Sequence, residues 1–94
     1  MKNAITFANG KTLSVGDTFY FVHPEYHDGT IVECLVDSFW PEEYFYGDLI
    51  RFTTNKKSMW QFAYKKYFER ESPTCFLDFA DAQKAAAELL YTVR

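Results

Sequence analysis

The chain has 94 residues, a formal charge of −3, and a composition that is 48% hydrophobic and 20% aromatic. That length leaves room for one core, the apolar content is too high for intrinsic disorder, and the negative balance sets the molecule as a whole against nucleic acid and anionic membrane. No apolar run approaches the roughly 18 residues of a membrane span, and the opening Met1 to Thr6 lacks the apolar region of a secretory leader, so a cytoplasmic location without membrane contact is expected.

In chain order, Ala4 to Phe7 reads as a short strand, and Asn9-Gly10 after it is the strongest two-residue hairpin signal, because both residue types tolerate positive φ. Leu13 to Asp17 forms a glycine-containing loop before the aromatic and β-branched run Thr18 to Val22, in which Phe19 and Phe21 share a face. Pro24 and Gly29 make His23 to Gly29 a loop. From Thr30 to Ser38 the residues alternate, with Val32, Cys34 and Val36 inward, Glu33 and Asp37 outward, and Ile31 and Leu35 blurring the outer face.

Pro41 and Gly47-Asp48 break the pattern around an unusual segment, Phe39 to Tyr46. Leu49 to Thr54 alternates again with Ile50 and Phe52 inward, Asn55 to Ser58 is a polar turn, and Met59 to Tyr64 places Trp60, Phe62 and Tyr64 on one face in the manner of core residues. Lys65 to Arg70 is compatible with a continued strand or a short irregular link, and Glu71-Ser72-Pro73 ends it. The clearest helix start is Asp78 as N-cap with Asp81 three positions later; the helix runs to about Tyr91 with Phe79, Ala82, Ala86, Leu89 and Leu90 on its apolar face. The expected fold is α+β and mainly antiparallel: one domain over residues 1–94, with a strongly curled five-stranded sheet or small SH3-like barrel over 1–76 and one C-terminal α-helix over 78–91. Oligomeric state is left open by the sequence.

Catalytic patterns are weak. His23, Glu25, His27 and Asp28 are metal-ligand types, but a loop does not give the helical spacing that turns two histidines toward one zinc, so no metal site is expected. The two cysteines, Cys34 and Cys75, lie in apolar stretches and read as buried free thiols rather than a nucleophile or disulfide. Glu42-Glu43 are adjacent, so their carboxylates point apart, and the four glycines include no phosphate-cradling loop. The expectation is a non-enzymatic protein without a cofactor.

Charge is distributed unevenly along the chain. Residues 1–50 carry two lysines against eight acids, and residues 51–70 carry six cations against the one acid Glu69. Two functional readings compete for this. In one, an acidic and aromatic segment with Trp40, Glu42, Glu43, Tyr44 and Tyr46 is a protein-binding patch, aromatic rings anchoring and acids steering a basic partner. In the other, the basic aromatic hairpin 51–70 contacts RNA or single-stranded DNA through Lys56, Lys57, Lys65, Lys66 and Arg70. A small ligand inside the curled sheet is a third reading, carried by aromatic content alone.

Leu13, Val15, Gly16 and Asp17 entering a strand with Phe19 or Tyr20, followed by Phe76, Leu77 and a helix with Ala82 and Ala86, resemble a loosely defined group of small accessory proteins from bacteriophages and bacterial mobile elements. Where such proteins carry Thr or Ser at the helix cap and Glu after it, this chain has Asp78 and Asp81. The resemblance implies an inhibitor that occupies a host protein or nucleoprotein complex in the host cytoplasm, including anti-CRISPR and other anti-defence types. It carries over no functional residue, because the matching positions are structural.

Overall fold

A computed structural model describes residues 3–22, 30–40, 49–54 and 62–92, the last three by backbone alone. Strands β1 (Ala4–Thr6) and β2 (Thr12–Ser14) pair antiparallel as a separate hairpin. A five-stranded antiparallel sheet is formed by β3 (Thr18–Phe21), β4 (Val32–Trp40), β5 (Leu49–Thr54), β6 (Phe62–Tyr64) and β7 (Cys75–Phe76), in the order β6-β5-β4-β3-β7. A one-turn helix α1 (Lys66–Glu69) links β6 to β7, and α2 (Phe79–Thr92) ends the described chain. The sheet is a curled half-barrel. Its two ends, β6 and β7, are bridged by α1, which touches both.

The hairpin turn differs from the two-residue form that Asn9-Gly10 suggests. Gly10 N–H donates to Phe7 O at 2.9 Å and Phe7 N–H to Lys11 O at 2.8 Å, which closes a three-residue loop in which Gly10 alone takes positive φ (+86°). A second turn at Ser14 to Asp17, with Gly16 at φ +92°, steers β2 into β3. Gly16 N–H donates to Val36 O at 3.0 Å and Val36 N–H to Asp17 O at 2.9 Å, pinning that corner to β4.

The concave face of the sheet and the hairpin enclose the main core: Ile5, Phe7, Leu13, Phe19, Cys34, Val36, Phe39, Ile50 and Phe52 are all buried there. Phe68 of α1 wedges in from the side, with ring centroids 4.9 Å from Phe7 and 5.2 Å from Phe19. Lys65 to Arg70 is therefore neither of the two forms the sequence left open. Its turn is held to the next segment by Thr74 N–H donating to Tyr67 O at 3.0 Å and by Arg70 Nη2 on Thr74 Oγ1 at 3.1 Å.

The helix α2 flanks the half-barrel rather than plugging it. Ala82 and Ala86, with Leu89 of the same helix, pack against Val22, Tyr20, Ile31 and Phe76 on the opposite, outer face of the sheet. The N–H of Ala82 donates to Asp78 O at 3.2 Å, which puts Asp78 at the N-cap position. Phe79, expected on the apolar stripe, is 47% exposed at the rim, edge-on to Tyr20.

A bulge on β4 settles a facing the sequence left open, and one side-chain assignment on β6 needs correction. Register between β4 and β5 slips between Val36 and Ser38, leaving Asp37 as the extra residue of a bulge. The bulge inverts the alternation, so Phe39 (0% exposed) enters the core and Trp40 turns outward. On β6, Ala63 rather than Phe62 faces the core: Ala63 is 1% exposed opposite Ile50, and Phe62 is 45% exposed. Trp60 lies outside the described residues.

Candidate functional site

The outer face of the sheet is divided. Its β3–β7 half lies under α2, and its β4–β5–β6 half carries a set of apolar and aromatic side chains built by strand register. Trp40, Leu49 and Tyr64 form one row across three strands, and Ser38, Arg51 and Phe62 form the next. Leu35 follows on β4, paired with Thr53. Leu35, Trp40 and Phe62 are 48%, 38% and 45% exposed, whereas Leu49 between its ring neighbours is buried. Taking large side chains at roughly 200 Å² each, these three together offer roughly 250 Å² of apolar surface, somewhat below the roughly 300–600 Å² of the largest patch on an ordinary monomer.

Charge is set unevenly across this strip, with acids on β4 in line with Leu35 and Trp40 and cations beyond β6. Along β4 stand Glu33 and Asp37, both exposed; Asp37 Oδ2 lies 3.7 Å from Arg51 Nε, both partners being about half exposed, a weak surface pair. Beyond β6, Lys66 Nζ sits 5.4 Å from the centre of the Tyr64 ring, Tyr64 meets Tyr67 edge-on at 5.5 Å, and the Arg70 guanidinium covers Tyr67 at 4.8 Å. Cations thus already occupy faces of both tyrosines.

Of the residues singled out from the sequence, Trp40 is on this face; Glu42, Glu43, Tyr44 and Tyr46 lie outside the described residues, in the 41–48 segment whose ends are the paired Trp40 and Leu49. Lys56 and Lys57 also lie outside, as do His23, Glu25, His27 and Asp28. Lys65 is half-buried and Lys66 exposed. Arg70 is engaged with Tyr67, Ser72 O and Thr74 Oγ1, so it has a structural task. Leu49 and Phe62 were missed as outer-face residues. The small Ala63 between two large rings was the available signal, since on a tightly curled concave face a small residue is the one that fits inward.

The cysteines are chemically quiet. Both are buried and free. Burial, with a smaller contribution from Glu33, pushes the Cys34 thiol up to about 12 from 9.0, and burial together with the neighbouring Cys34 pushes Cys75 up as well. Neither is a thiolate near neutral pH, so neither is an activated nucleophile. Among the described residues no three His, Cys, Asp or Glu side chains group as a metal set.

A cleft of about 310 Å³ opens between the hairpin tip, α1 and the start of α2, with Phe7, Phe68 and Leu77 below and Lys11, Glu69 and Asp78 at its rim. Its polar groups are committed to holding the hairpin down: Ala8 N–H donates to Glu69 Oε2 at 2.6 Å and Lys11 Nζ meets Asp78 Oδ2 at 2.6 Å. The Asp78 contact raises the Lys11 pKa, by hydrogen bond first and charge second.

Set against protein-family models, curated proteins and solved structures, the chain matches none. The resemblance to phage accessory proteins therefore stands on its sequence motifs alone. No helix among the described residues is long and apolar enough to cross a membrane.

Proposed function

We propose that this chain is a non-enzymatic protein-interaction module whose docking surface is the open β4–β5–β6 half of the outer face. The observation that carries the reading is the exposure of Leu35 and Trp40 on β4 and of Phe62 on β6, across β5, on a face whose other half is already covered by α2. Large apolar side chains held out on a regular strand cost solubility, and aromatic rings of this kind are the usual anchors of interfaces. Glu42, Glu43, Tyr44 and Tyr46 are proposed contact residues on their sequence pattern alone. With the phage-type motifs, this makes the chain an inhibitor acting in the host cytoplasm on a host protein or defence complex, in the manner of an anti-CRISPR protein.

Nucleic acid is the weaker occupant, because Lys66 and Arg70 already lie over Tyr64 and Tyr67 and Arg70 is further tied by hydrogen bonds. The test is capture from bacterial lysate by the wild-type chain, Trp40→Ala, Phe62→Ser and the pair Lys65→Ala with Lys66→Ala. A protein retained by wild type and by the lysine pair, and lost with either aromatic variant at unchanged thermal midpoint, is the expected result. Recovery of RNA that depends on the lysines, or protein capture indifferent to Trp40 and Phe62, overturns the reading.

A further inference from the structure

The open strip has dimensions and a charge order of its own, and these point to the kind of partner that fits. Resting on the docking reading above, we infer that its occupant is an amphipathic α-helix of the partner protein, with an apolar stripe bordered by basic residues on one edge and acidic residues on the other.

Three strands span about 10 Å between the outer two axes, and a helix with its side chains is about 10–12 Å across. The same sheet already shows this mode of cover, since α2, 14 residues long, packs on the adjoining β3–β7 half through Ala82 and Ala86. A second helix beside it would complete a layer continuous with that existing interface. The layer also argues against a flat occupant: α2 rises about 10 Å above the sheet, so a second copy of the sheet is held off the strip.

Charge then selects the helix. On the β4 side, toward α2, the exposed groups are Glu33 and Asp37; on the β6 side it is Lys66, with Lys65 next to it. Across the strip, Leu35 and Trp40 share β4 with these acids, and Leu49 on β5 leads to Phe62 and Tyr64 on β6, with Arg51 of β5 set against Asp37. A helix along the strip meets opposite charge on both edges only if its own edges differ in sign, basic toward β4 and acidic toward β6. Exposed pairs of this sort add little affinity and much orientation. The direction of the bound helix follows from which of its edges is basic, because turning the helix end for end exchanges its edges.

The probes are helical peptides of about 18 residues with one leucine stripe: two with lysine on one edge and glutamate on the other, in the two possible arrangements, one with lysine on both edges, and one with glutamate on both. Amide shifts of the full chain are followed on titration, and a spin label at each peptide's N-terminus reports direction. Split-edge peptides should bind about threefold tighter than either uniform peptide, with shifts on β4, β5 and β6. The two arrangements should place the label at opposite ends of β4, and Glu33→Lys with Asp37→Lys and Lys66→Glu should exchange those positions. Equal affinity for all four peptides, an unchanged label position, preference for an alternating leucine-lysine strand peptide or oligouridine, or self-association at this face each overturns the helical occupant. If no probe shifts β4 to β6 and Trp40→Ala changes nothing, the docking face itself is refuted.

Discussion

Replacing Phe68 by alanine tests whether α1 closes the half-barrel. Phe68 is half-buried, with its ring 4.9 Å from Phe7 and 5.2 Å from Phe19, so it joins the hairpin to the sheet. Truncating a fully buried phenylalanine costs about 3–5 kcal/mol, and the residual exposure here lowers that to about 2–4 kcal/mol, including two ring contacts of about 0.5–1.5 kcal/mol each. A domain of this length is stable by about 5–14 kcal/mol in total, so the loss is a large fraction. The thermal midpoint should fall by about 10–30 °C. Urea unfolding followed by far-ultraviolet circular dichroism reads it as a lower midpoint at unchanged slope. The exposed neighbour Glu71→Ala serves as control and should move stability by no more than about 0.5 kcal/mol. A Phe68→Ala loss under about 1 kcal/mol would show that α1 is a passive connection.

Alkaline pH should unfold the protein early. Cys34, Cys75 and Lys11 all hold their protons more tightly when folded, so the native chain binds more protons than the unfolded one above about pH 9, and stability that is full below that point falls as pH rises. Cys34 alone should cost on the order of 2 kcal/mol by about pH 11; a urea midpoint that stays level over that range, or a slope unaltered by Cys34→Ala, would refute the assignment. Gly16→Ala should cost about 1 kcal/mol through its φ of +92° alone, since a Cβ there has nothing within 4 Å; a loss above about 3 kcal/mol in the same urea assay would mean a steric cause instead.

The α+β class, β1, β3, β4 up to Val36 and the start of α2 were legible because each rests on a local rule, whereas Leu13 and Ser14, read as loop, pair with β1 as part of β2. Val32, Cys34 and Val36 alternate with Glu33 and Asp37, and Asp78 with Asp81 marks a helix start whatever surrounds it. The outer face was not legible, for two reasons. A bulge at Asp37 changes which parity faces inward, and no residue type in Val36-Asp37-Ser38 announces it. On β6, hydrophobicity favours Phe62 over Ala63 for the core, yet the concave space opposite Ile50 takes only the smaller side chain. Both features concern the same surface, where Trp40 was singled out from the sequence while Leu49 and Phe62 were not. The one-turn α1 is too short to show a period at all.

The uneven charge along the chain suggested two separate surfaces, and antiparallel pairing largely removes that separation. Acid-rich β4 lies beside β5, so Asp37 meets Arg51, while Lys11 from the acidic half meets Asp78. What survives is a short-range order, acids on β4 and lysines past β6, across one apolar strip. This order makes salt dependence a discriminating measurement. If the lysine side gathered single-stranded nucleic acid, Lys65, Lys66 and Arg70 would neutralise about three phosphates, and affinity would fall roughly 20-fold between about 50 and 200 mM salt, from a slope of about −0.7 per phosphate. A helical partner with edges of opposite sign releases few counterions, and its affinity, set by Trp40, Phe62 and Leu35, should change by less than about threefold over the same interval. A steep slope for the captured partner, flattened by substituting Lys65 and Lys66, would move the function from the apolar strip to its basic border.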